Sequence, residues 1–209
     1  MISVEQAKKH YPPTSGTAHG FDHVLRVVAL ADRIARAEGA DAGIVRAAAL
    51  LHDLTADGPD RASHHISGAE RAREILLELG HPAERVDAVV HCVQMHRFRP
   101  VEQNDAPLSL EARVVFDADK LDAIGAVGVA RAFVYGAELG QPIWGPVSPE
   151  FKAGSQTGEP HTAHHEFYYK LLRVRDRLWT KTGRRIAAER HRYMVDFFNR
   201  MAREVAGKD

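Results

Sequence analysis

The sequence has a single cysteine, no excess of charge of either sign and no long apolar run. Cys92 alone cannot form an internal disulfide, so we expect the reducing environment of the cytoplasm. The 28 basic and 28 acidic side chains cancel, which excludes the overall positive field that attracts nucleic acid or an anionic membrane. Because charges interrupt every apolar stretch, neither a secretory signal nor a membrane span is predicted. We therefore expect a soluble protein that binds any anionic ligand locally.

Internal repeats and sustained alternation of apolar and polar residues are also absent. Apolar residues recur instead at spacings of three and four, which favours helices over strands. Because 209 residues are most simply one domain, we expect a single all-α domain over residues 1–209. Its core would span residues 19–135, with C-terminal helices at 162–206 packed on it. The predicted helices cover residues 20–38, 42–54, 65–79, 83–97, 109–139 with a bend near Gly125 or Gly128, 162–181 and 184–206.

Glycine and proline residues mark the predicted helix ends. Gly39 follows the first helix, Gly80 and Pro82 separate the third from the fourth, and Gly183 separates the last two. The longest irregular stretch, 140–161, is typical of a lid, a dimer contact or a flexible surface. Aromatic side chains in this stretch and in the last helix would serve either a homodimer interface or the core: Trp144, Phe151, Phe197 and Phe198.

The chain has 13 histidines, and some of them fall on helical faces that are otherwise apolar. His23 shares a face with Val27, Leu30 and Ile34 when residues advance by about 100° around a helix. His19, one turn earlier, shares that face if the helix begins early enough. A single histidine on such a face is more often a hydrogen-bonded core residue than a ligand, so His23 alone decides nothing.

The second predicted helix ends in the sequence ALLHDLTAD, where His52 lies in line with Val45 and Ala48 and is followed directly by Asp53. A carboxylate buried beside a histidine needs a compensating charge, because an unpaired ion in an apolar setting is costly. A bound cation would supply that charge. The alternative is a helix that becomes polar only because it leaves the core.

The segment SLEARVVFDADKLDAIGAVGVARAF places two carboxylates, those of Asp119 and Asp122, on one otherwise apolar face. Asp117 falls on the opposite side of the same predicted helix. A salt bridge to Arg26 or Arg131 would explain one buried carboxylate without a metal. It would not explain both carboxylates together with the buried histidines.

Two imidazoles and two carboxylates are thus available, from His23, His52, Asp53 and Asp119. Such a mixed nitrogen and oxygen set suits Mn²⁺, Mg²⁺, Co²⁺, Ni²⁺, Fe²⁺ or Zn²⁺. Four protein ligands on a metal that prefers six leave room for water and a substrate oxygen, which hydrolysis requires. Asp122 is the alternative carboxylate.

Three segments resemble the HD superfamily of metal-dependent phosphohydrolases. They are HGFDHVLRV at 19–27, AALLHD at 48–53 and DADKLDAIGAVGVARAF at 117–133. The family pattern is a histidine, then an adjacent His-Asp pair, then a distant aspartate, all on helices around one metal. By this resemblance the chain is a compact helical HD-domain bundle whose metal ligands are His23, His52, Asp53 and Asp119. The segment 117–133 and the C-terminal helices are similar to a bacterial branch related to nucleotide pyrophosphohydrolases.

The resemblance implies hydrolysis of (deoxy)nucleoside triphosphates, or of related phosphoanhydrides and phosphoesters, by a metal-activated water. Asp57, four residues after Asp53, is the candidate to orient or deprotonate that water, a solvent-exposed turn residue being the alternative. Asp53 would be catalytic as well as a ligand. The sequence HDLTAD has Ala56 where alarmone hydrolases carry a glutamate, which disfavours an alarmone substrate.

Cationic donors to the phosphate oxygens are expected close to the ligand motifs. The first candidates for such donors are His65 and His96. Asp122 and His19 are the further candidates for substrate binding. Arg26 and Lys120 step off the ligand face in the helical count, so surface roles are expected for both.

Three alternatives stay open at this point. Further histidines would hold a second metal, as in the phosphodiesterases of the superfamily; these are His64, His65, His91 and His96. Some members house two irons and carry out oxygen-dependent oxidation, and a non-catalytic nucleotide-binding regulatory module would also carry a metal site. We expect one divalent ion per chain, a small nucleotide as partner, and no nucleic acid or membrane partner.

Overall fold

The structure, a computed structural model, describes residues 1–12, 20–56, 63–97, 108–155 and 158–208. Over these ranges the chain is mainly helical and contains no β-strand, which confirms the predicted all-α class. The helices are α1 Val4–Lys8, α2 Phe21–Glu38, α3 Ala42–Leu51, α4 His64–Glu78, α5 Ala83–Met95, α6 Leu110–Asp122, α7 Gly125–Glu138, α8 Pro149–Lys152, α9 Ala163–Glu166, α10 Leu172–Val174 and α11 Lys181–Val205. A π-helical turn at Phe167–Leu171 precedes α10, and a 3₁₀ turn at Arg175–Arg177 follows it. Among the helices in this part of the chain, none is both long and apolar enough to cross a bilayer.

Local side-chain chemistry explains where several helices begin and end. Ser3 and Gln6 form a reciprocal capping box at α1, which satisfies backbone donors that the first turn cannot. The carboxylate of Asp41 accepts hydrogen bonds from the N–H groups of Gly43 and Ile44 at the start of α3. Gly39 follows α2 in the left-handed conformation, as its position in the sequence predicted.

Two of the predicted helices are divided in the structure. The predicted helix 109–139 is two helices, because the chain leaves the helical conformation at Ile124 and restarts at Gly125 with a φ of 80°. A side chain is strained at that φ, so the position favours glycine. The predicted helix 162–181 is divided into α9, a π-helical turn, α10 and a 3₁₀ turn, and α8 lies in the stretch predicted to be irregular.

The backbone contacts divide the chain into two compact units. Unit 1 comprises Met1–Lys120 with Trp179–Gly183, and unit 2 comprises Leu121–Leu178 with Arg184–Asp209. The expectation of a single domain over 1–209 therefore stays a prediction. The four predicted metal ligands belong to unit 1, whereas Asp122 belongs to unit 2.

Within unit 1, α3 is surrounded by other helices. It packs against α1, α2, α4 and α5, and its side chains from Ala47 to Leu51 are all buried. Burial of this apolar segment stabilises the fold by about 25 cal/mol for each Å² removed from water. The last turn of α3, which leads into His52 and Asp53, is consequently held deep in the unit.

Within unit 1, a buried carboxylate on α6 binds the backbone of the segment Trp179–Gly183. Asp117, on α6, accepts hydrogen bonds from the Trp179 N–H (2.9 Å), the Thr180 N–H (2.7 Å) and the Thr180 hydroxyl (2.7 Å). The Thr180 hydroxyl oxygen in turn accepts from the N–H of Gly183 at 2.9 Å. Asp117 thus has a structural role that the helical count did not assign to it.

Gly183 was predicted to separate the last two helices, and this prediction is wrong. The residue lies inside the first turn of α11, and the break precedes it. A Cβ at this position would collide with the Asp117 carboxylate and with the Thr180 hydroxyl. Glycine is therefore used here for close approach, not to end a helix.

Replacing Gly183 by alanine is expected to lower the free energy of unfolding by about 1–3 kcal/mol, the usual cost of overpacking. This loss would occur although alanine favours a helix by about 1 kcal/mol over glycine. Gly136→Ala in α7 is the matched control, because a Cβ there meets nothing closer than 3.8 Å. Urea denaturation should show G136A as stable as the wild type or more so; equal stability of G183A would contradict the collision.

Three phenylalanines lie among the buried side chains of unit 2. Phe198 is buried and stacks on Phe167 with ring centroids 4.4 Å apart. Phe151 is also buried, and the Ser148 hydroxyl beside it donates a 2.5 Å hydrogen bond to Glu159. Two of the aromatics considered for a dimer interface therefore belong to the interior, and the homodimer stays a prediction.

Candidate metal centre

Three helices bring the four predicted ligands together in unit 1. His23 lies in the first turn of α2, His52 and Asp53 directly follow α3, and Asp119 lies in the last turn of α6. Both histidines are fully buried, and the side chains of Asp53 and Asp119 are 10% and 12% exposed. Residues far apart in the sequence thus present nitrogen and oxygen donors to one point.

The distances between these donor atoms suit a shared cation. The Nε2 atom of His23 lies 3.5 Å from Asp53 Oδ2 and 3.5 Å from Asp119 Oδ1. The Nε2 atom of His52 lies 3.3 Å from His23 Nε2, 3.5 Å from Asp53 Oδ2 and 3.9 Å from Asp119 Oδ1. Donors that bind one ion at about 2.0–2.2 Å stand roughly 3.0–4.4 Å apart. The observed separations fall within that range.

The tautomer of His52 is set by the backbone. Its Nδ1 lies 2.9 Å from the Ala49 carbonyl oxygen, which can only accept, so Nδ1–H is the donor. The Nε2 lone pair of the neutral ring therefore points at the carboxylates. A lone pair facing two negative groups is repulsive unless a cation lies between them, and an imidazole held in this way is typical of a metal ligand.

A second group of donors meets the other oxygen of Asp53. Its Oδ1 atom lies 3.8 Å from His64 Nε2 and 3.6 Å from His96 Nε2, and the two nitrogens are 3.1 Å apart. The His96 ring is oriented in the same way as that of His52, because its Nδ1 donates to the Val93 carbonyl oxygen at 2.6 Å. The carboxylate of Asp53 is thus shared by two groups of imidazoles.

The ionisation of the centre follows from its burial and charges. Burial raises the pKa of Asp53, but the neighbouring His52, His23 and His96 outweigh it and hold that pKa well below its usual range. Burial also raises the pKa of Asp119, but the Lys120 ammonium and His23 outweigh burial and hold that pKa well below its usual range. Burial lowers the pKa of His52 to about 4, against the opposing effect of Asp53 and Asp119. At neutral pH the acids are charged and His52 is neutral, as coordination requires.

The structure assigns different surroundings to the two basic residues expected at the surface. The Lys120 ammonium lies 2.5 Å from Asp119 Oδ2, and this side chain is largely buried. The surface role expected for Lys120 is therefore wrong, because the residue directly after a buried acid lies close enough to neutralise it. Arg26 pairs with Asp22 at 2.5 Å on the exposed side of α2, in agreement with its expected surface role.

The remaining substrate-binding candidates have separate positions. His65 is buried beside His64, their ring centroids being 5.9 Å apart. The carboxylate of Asp122 is buried in unit 2 and forms a 3.0 Å ion pair with Arg131. Substrate roles for both stay predictions. His19 and Asp57, predicted to bind substrate and to act on water, lie outside the described residues.

Two neighbours of the centre were not identified as such from the sequence. His64 was considered only for a second metal, and Tyr11 was given no role. The Tyr11 hydroxyl donates a 2.9 Å hydrogen bond to the Leu50 carbonyl, two residues before His52. The adjacent histidines at 64 and 65 were a usable signal for the first, whereas no spacing rule links Tyr11 to α3.

The chain is similar to known proteins in sequence and in fold. The chain matches the HD domain family over residues 20–124, which include all four predicted ligands. It is 36% identical to the YpgQ protein of Bacillus subtilis over 195 residues, covering 92% of this chain and 87% of that protein. The crystal structure of YpgQ in complex with ADP aligns with a TM-score of 0.76 at 31% identity, over 99% of this chain and 100% of that one. A crystal structure of an HD-superfamily hydrolase from Bacillus thuringiensis aligns with a TM-score of 0.74 at 28% identity, over 98% of this chain and 95% of that one.

Proposed function

The chain belongs to the HD domain family, and from that premise we propose that it is a metal-dependent phosphohydrolase that acts on nucleotides. Its proposed substrates are (deoxy)nucleoside triphosphates or related phosphoanhydrides and phosphoesters. The solved relatives support the two parts of this proposal separately, since one is an HD-superfamily hydrolase and another, YpgQ, was crystallised with ADP.

One observation carries the proposal. Buried imidazole nitrogens and carboxylate oxygens converge at separations of 3.3–3.9 Å, with the lone pair of His52 turned toward the acids. Without a divalent ion, the lone pair of His52 would face two nearly buried carboxylates at a cost in free energy, even though Lys120 offsets part of the charge of Asp119. A divalent ion removes that cost and leaves positions for water and substrate.

In this proposal His23, His52, Asp53 and Asp119 hold one divalent ion. The donor set admits Mn²⁺, Mg²⁺, Co²⁺, Ni²⁺, Fe²⁺ and Zn²⁺. When bound, the ion supplies Lewis-acid polarisation of a phosphoryl oxygen and lowers the pKa of a water.

The chain's own residues then orient and neutralise the substrate. His96 and the neighbouring His64 are proposed to donate hydrogen bonds to phosphate oxygens when they carry protons on Nε2. The Lys120 ammonium offsets part of the negative charge of Asp119, so that a further anion can approach. Asp57 stays the proposed base for the attacking water.

A phosphate-release screen with Mn²⁺, Mg²⁺, Co²⁺ and Ni²⁺ in turn tests the proposal. Hydrolysis of at least one nucleoside triphosphate is expected with metal and none in excess chelator. Phosphorus NMR of the products distinguishes release of pyrophosphate from stepwise loss of orthophosphate. Full turnover in excess chelator would contradict the metal-dependent mechanism.

The di-iron oxygenase alternative has one observation in its favour, the second group formed by Asp53, His64 and His96. Metal analysis of the purified protein separates the two functions. About one ion per chain supports the hydrolase with a single metal, whereas two irons with a visible charge-transfer band support oxidation.

A further inference from the structure

We propose that Tyr11 is a positioning residue for the metal centre, acting through the last turn of α3 that presents His52 and Asp53. The inference rests on the proposed function, since it concerns the same metal ligands. Residues 1–12 include none of the proposed ligands. By this inference they nevertheless help to set the geometry of the site.

The contact is made at the end of a helix, where the backbone needs partners. The last four carbonyl groups of an α-helix have no donor within the helix, and Leu50 is the penultimate residue of α3. The Tyr11 hydroxyl donates to its carbonyl oxygen at 2.9 Å across 39 residues of sequence. The phenol therefore fixes a peptide group of the turn that leads directly into His52.

Tyr11 itself is held by several contacts. Its ring packs edge-on against Phe21, with centroids 5.1 Å apart. Its N–H donates to the Lys8 carbonyl at 3.2 Å, and α1 packs against α3 through a segment in which Ile2 and Ala7 are buried. The hydroxyl thus projects from an anchored segment, which lets it restrain the turn that it contacts.

The phenol also remains a hydrogen-bond donor at any physiological pH. Burial raises the pKa of Tyr11 well above its usual value of 10, and the Asp53 carboxylate raises it further. Since His52 is oriented by the Ala49 carbonyl and Tyr11 holds the next one, the two bonds fix adjacent peptides.

Tyr11→Phe removes only the hydroxyl and tests the inference. Mn²⁺ affinity measured by titration calorimetry is expected to fall roughly 10-fold, the lower end of the effect seen when partners of metal ligands are lost. The d–d absorption of the Co²⁺-loaded protein should change as well, because the ligand geometry relaxes. Tyr193→Phe is the matched control, since this tyrosine of α11 is 51% exposed, and it should bind Mn²⁺ as the wild type does.

Hydrogen exchange separates positioning from general loss of structure. In Y11F, faster exchange is expected at residues 50–54, with the amides of α2, α4 and α5 as protected as in the wild type. Wild-type Mn²⁺ affinity in Y11F would overturn the inference and leave the proposed function intact. Weaker binding with protection lost in every helix would also overturn it. Failure of the wild type to bind any divalent ion would instead reject the proposed function and this inference with it.

Discussion

Asp53→Asn is expected to eliminate metal uptake and nucleotide hydrolysis together while the chain remains folded. The carboxylate offers Oδ2 to His23 and His52 and Oδ1 to His64 and His96, so its charge serves every imidazole of the centre. A neutral amide cannot replace that charge. We expect kcat/KM to fall more than about 10³-fold, which corresponds to roughly 4 kcal/mol of activation free energy at 1.36 kcal/mol per tenfold.

Thermal melting with and without Mn²⁺ provides the second measurement for this variant. A ligand at about 100 times its Kd adds roughly 2.7 kcal/mol to the stability of the protein that binds it. The wild type should therefore gain stability with metal and D53N should not. The metal-free variant should melt at or somewhat below the temperature of the metal-free wild type, because the histidines that hold the pKa of Asp53 low also stabilise its carboxylate in the folded chain.

Asp87→Asn is the control, since this aspartate is 60% exposed and pairs with Arg73 on the surface. It should retain activity, metal content and the stabilisation by Mn²⁺. Wild-type metal content in D53N, measured by elemental analysis after dialysis, would remove Asp53 from the ligand set.

The second large effect is on stability. Asp117→Ala is expected to destabilise the protein by about 3–5 kcal/mol, because it leaves the N–H groups of Trp179 and Thr180 without their buried acceptor. For a chain of this size that loss lowers the melting temperature by roughly 10 °C, at 2–4 °C per kcal/mol. Differential scanning calorimetry measures it.

Asp176→Ala removes a carboxylate that is 67% exposed and pairs only with its neighbour among the contacts described, Arg175. Its melting temperature should stay within about 1–2 °C of the wild type, as is usual for surface substitutions. A D117A variant that melts like D176A would contradict the anchoring role of Asp117.

The sequence singled out four candidate ligands that lie close together in the structure, because the chemistry of each helix is local. A histidine on an apolar stripe and a His-Asp pair at a helix end can be recognised without knowing what packs against them. The same counting failed for Asp117, since α6 is buried on more than one side: Ala112, Val114, Val115, Phe116, Asp117, Ala118, Leu121 and Asp122 are all buried. A helix covered in this way has no polar face by which the inward direction can be identified.

The other omissions have a related physical cause. Adjacent residues on a helix diverge by about 100°, so the choice between His64 and His65 depends on how α4 is rotated, which tertiary packing decides. Tyr11 reaches Leu50 across 39 residues, and no spacing rule connects positions that far apart. The position of Gly183 reflects contact with a distant carboxylate, whereas a glycine in a sequence pattern is ordinarily taken as a helix end.

The hydrogen bonds from His52 and His96 to main-chain oxygens three residues earlier have a consequence for variation of this chain. Every amino acid supplies the same carbonyl group, so a changed side chain at position 49 or 93 leaves the acceptor in place. The two rings depend instead on the length of the turn that precedes them. Adding or deleting one residue within the last turn of α5 would rotate the His96 ring by about 100° and carry its nitrogen out of reach of Asp53. The same change in the last turn of α3 would rotate His52 and Asp53 together, away from His23 and Asp119.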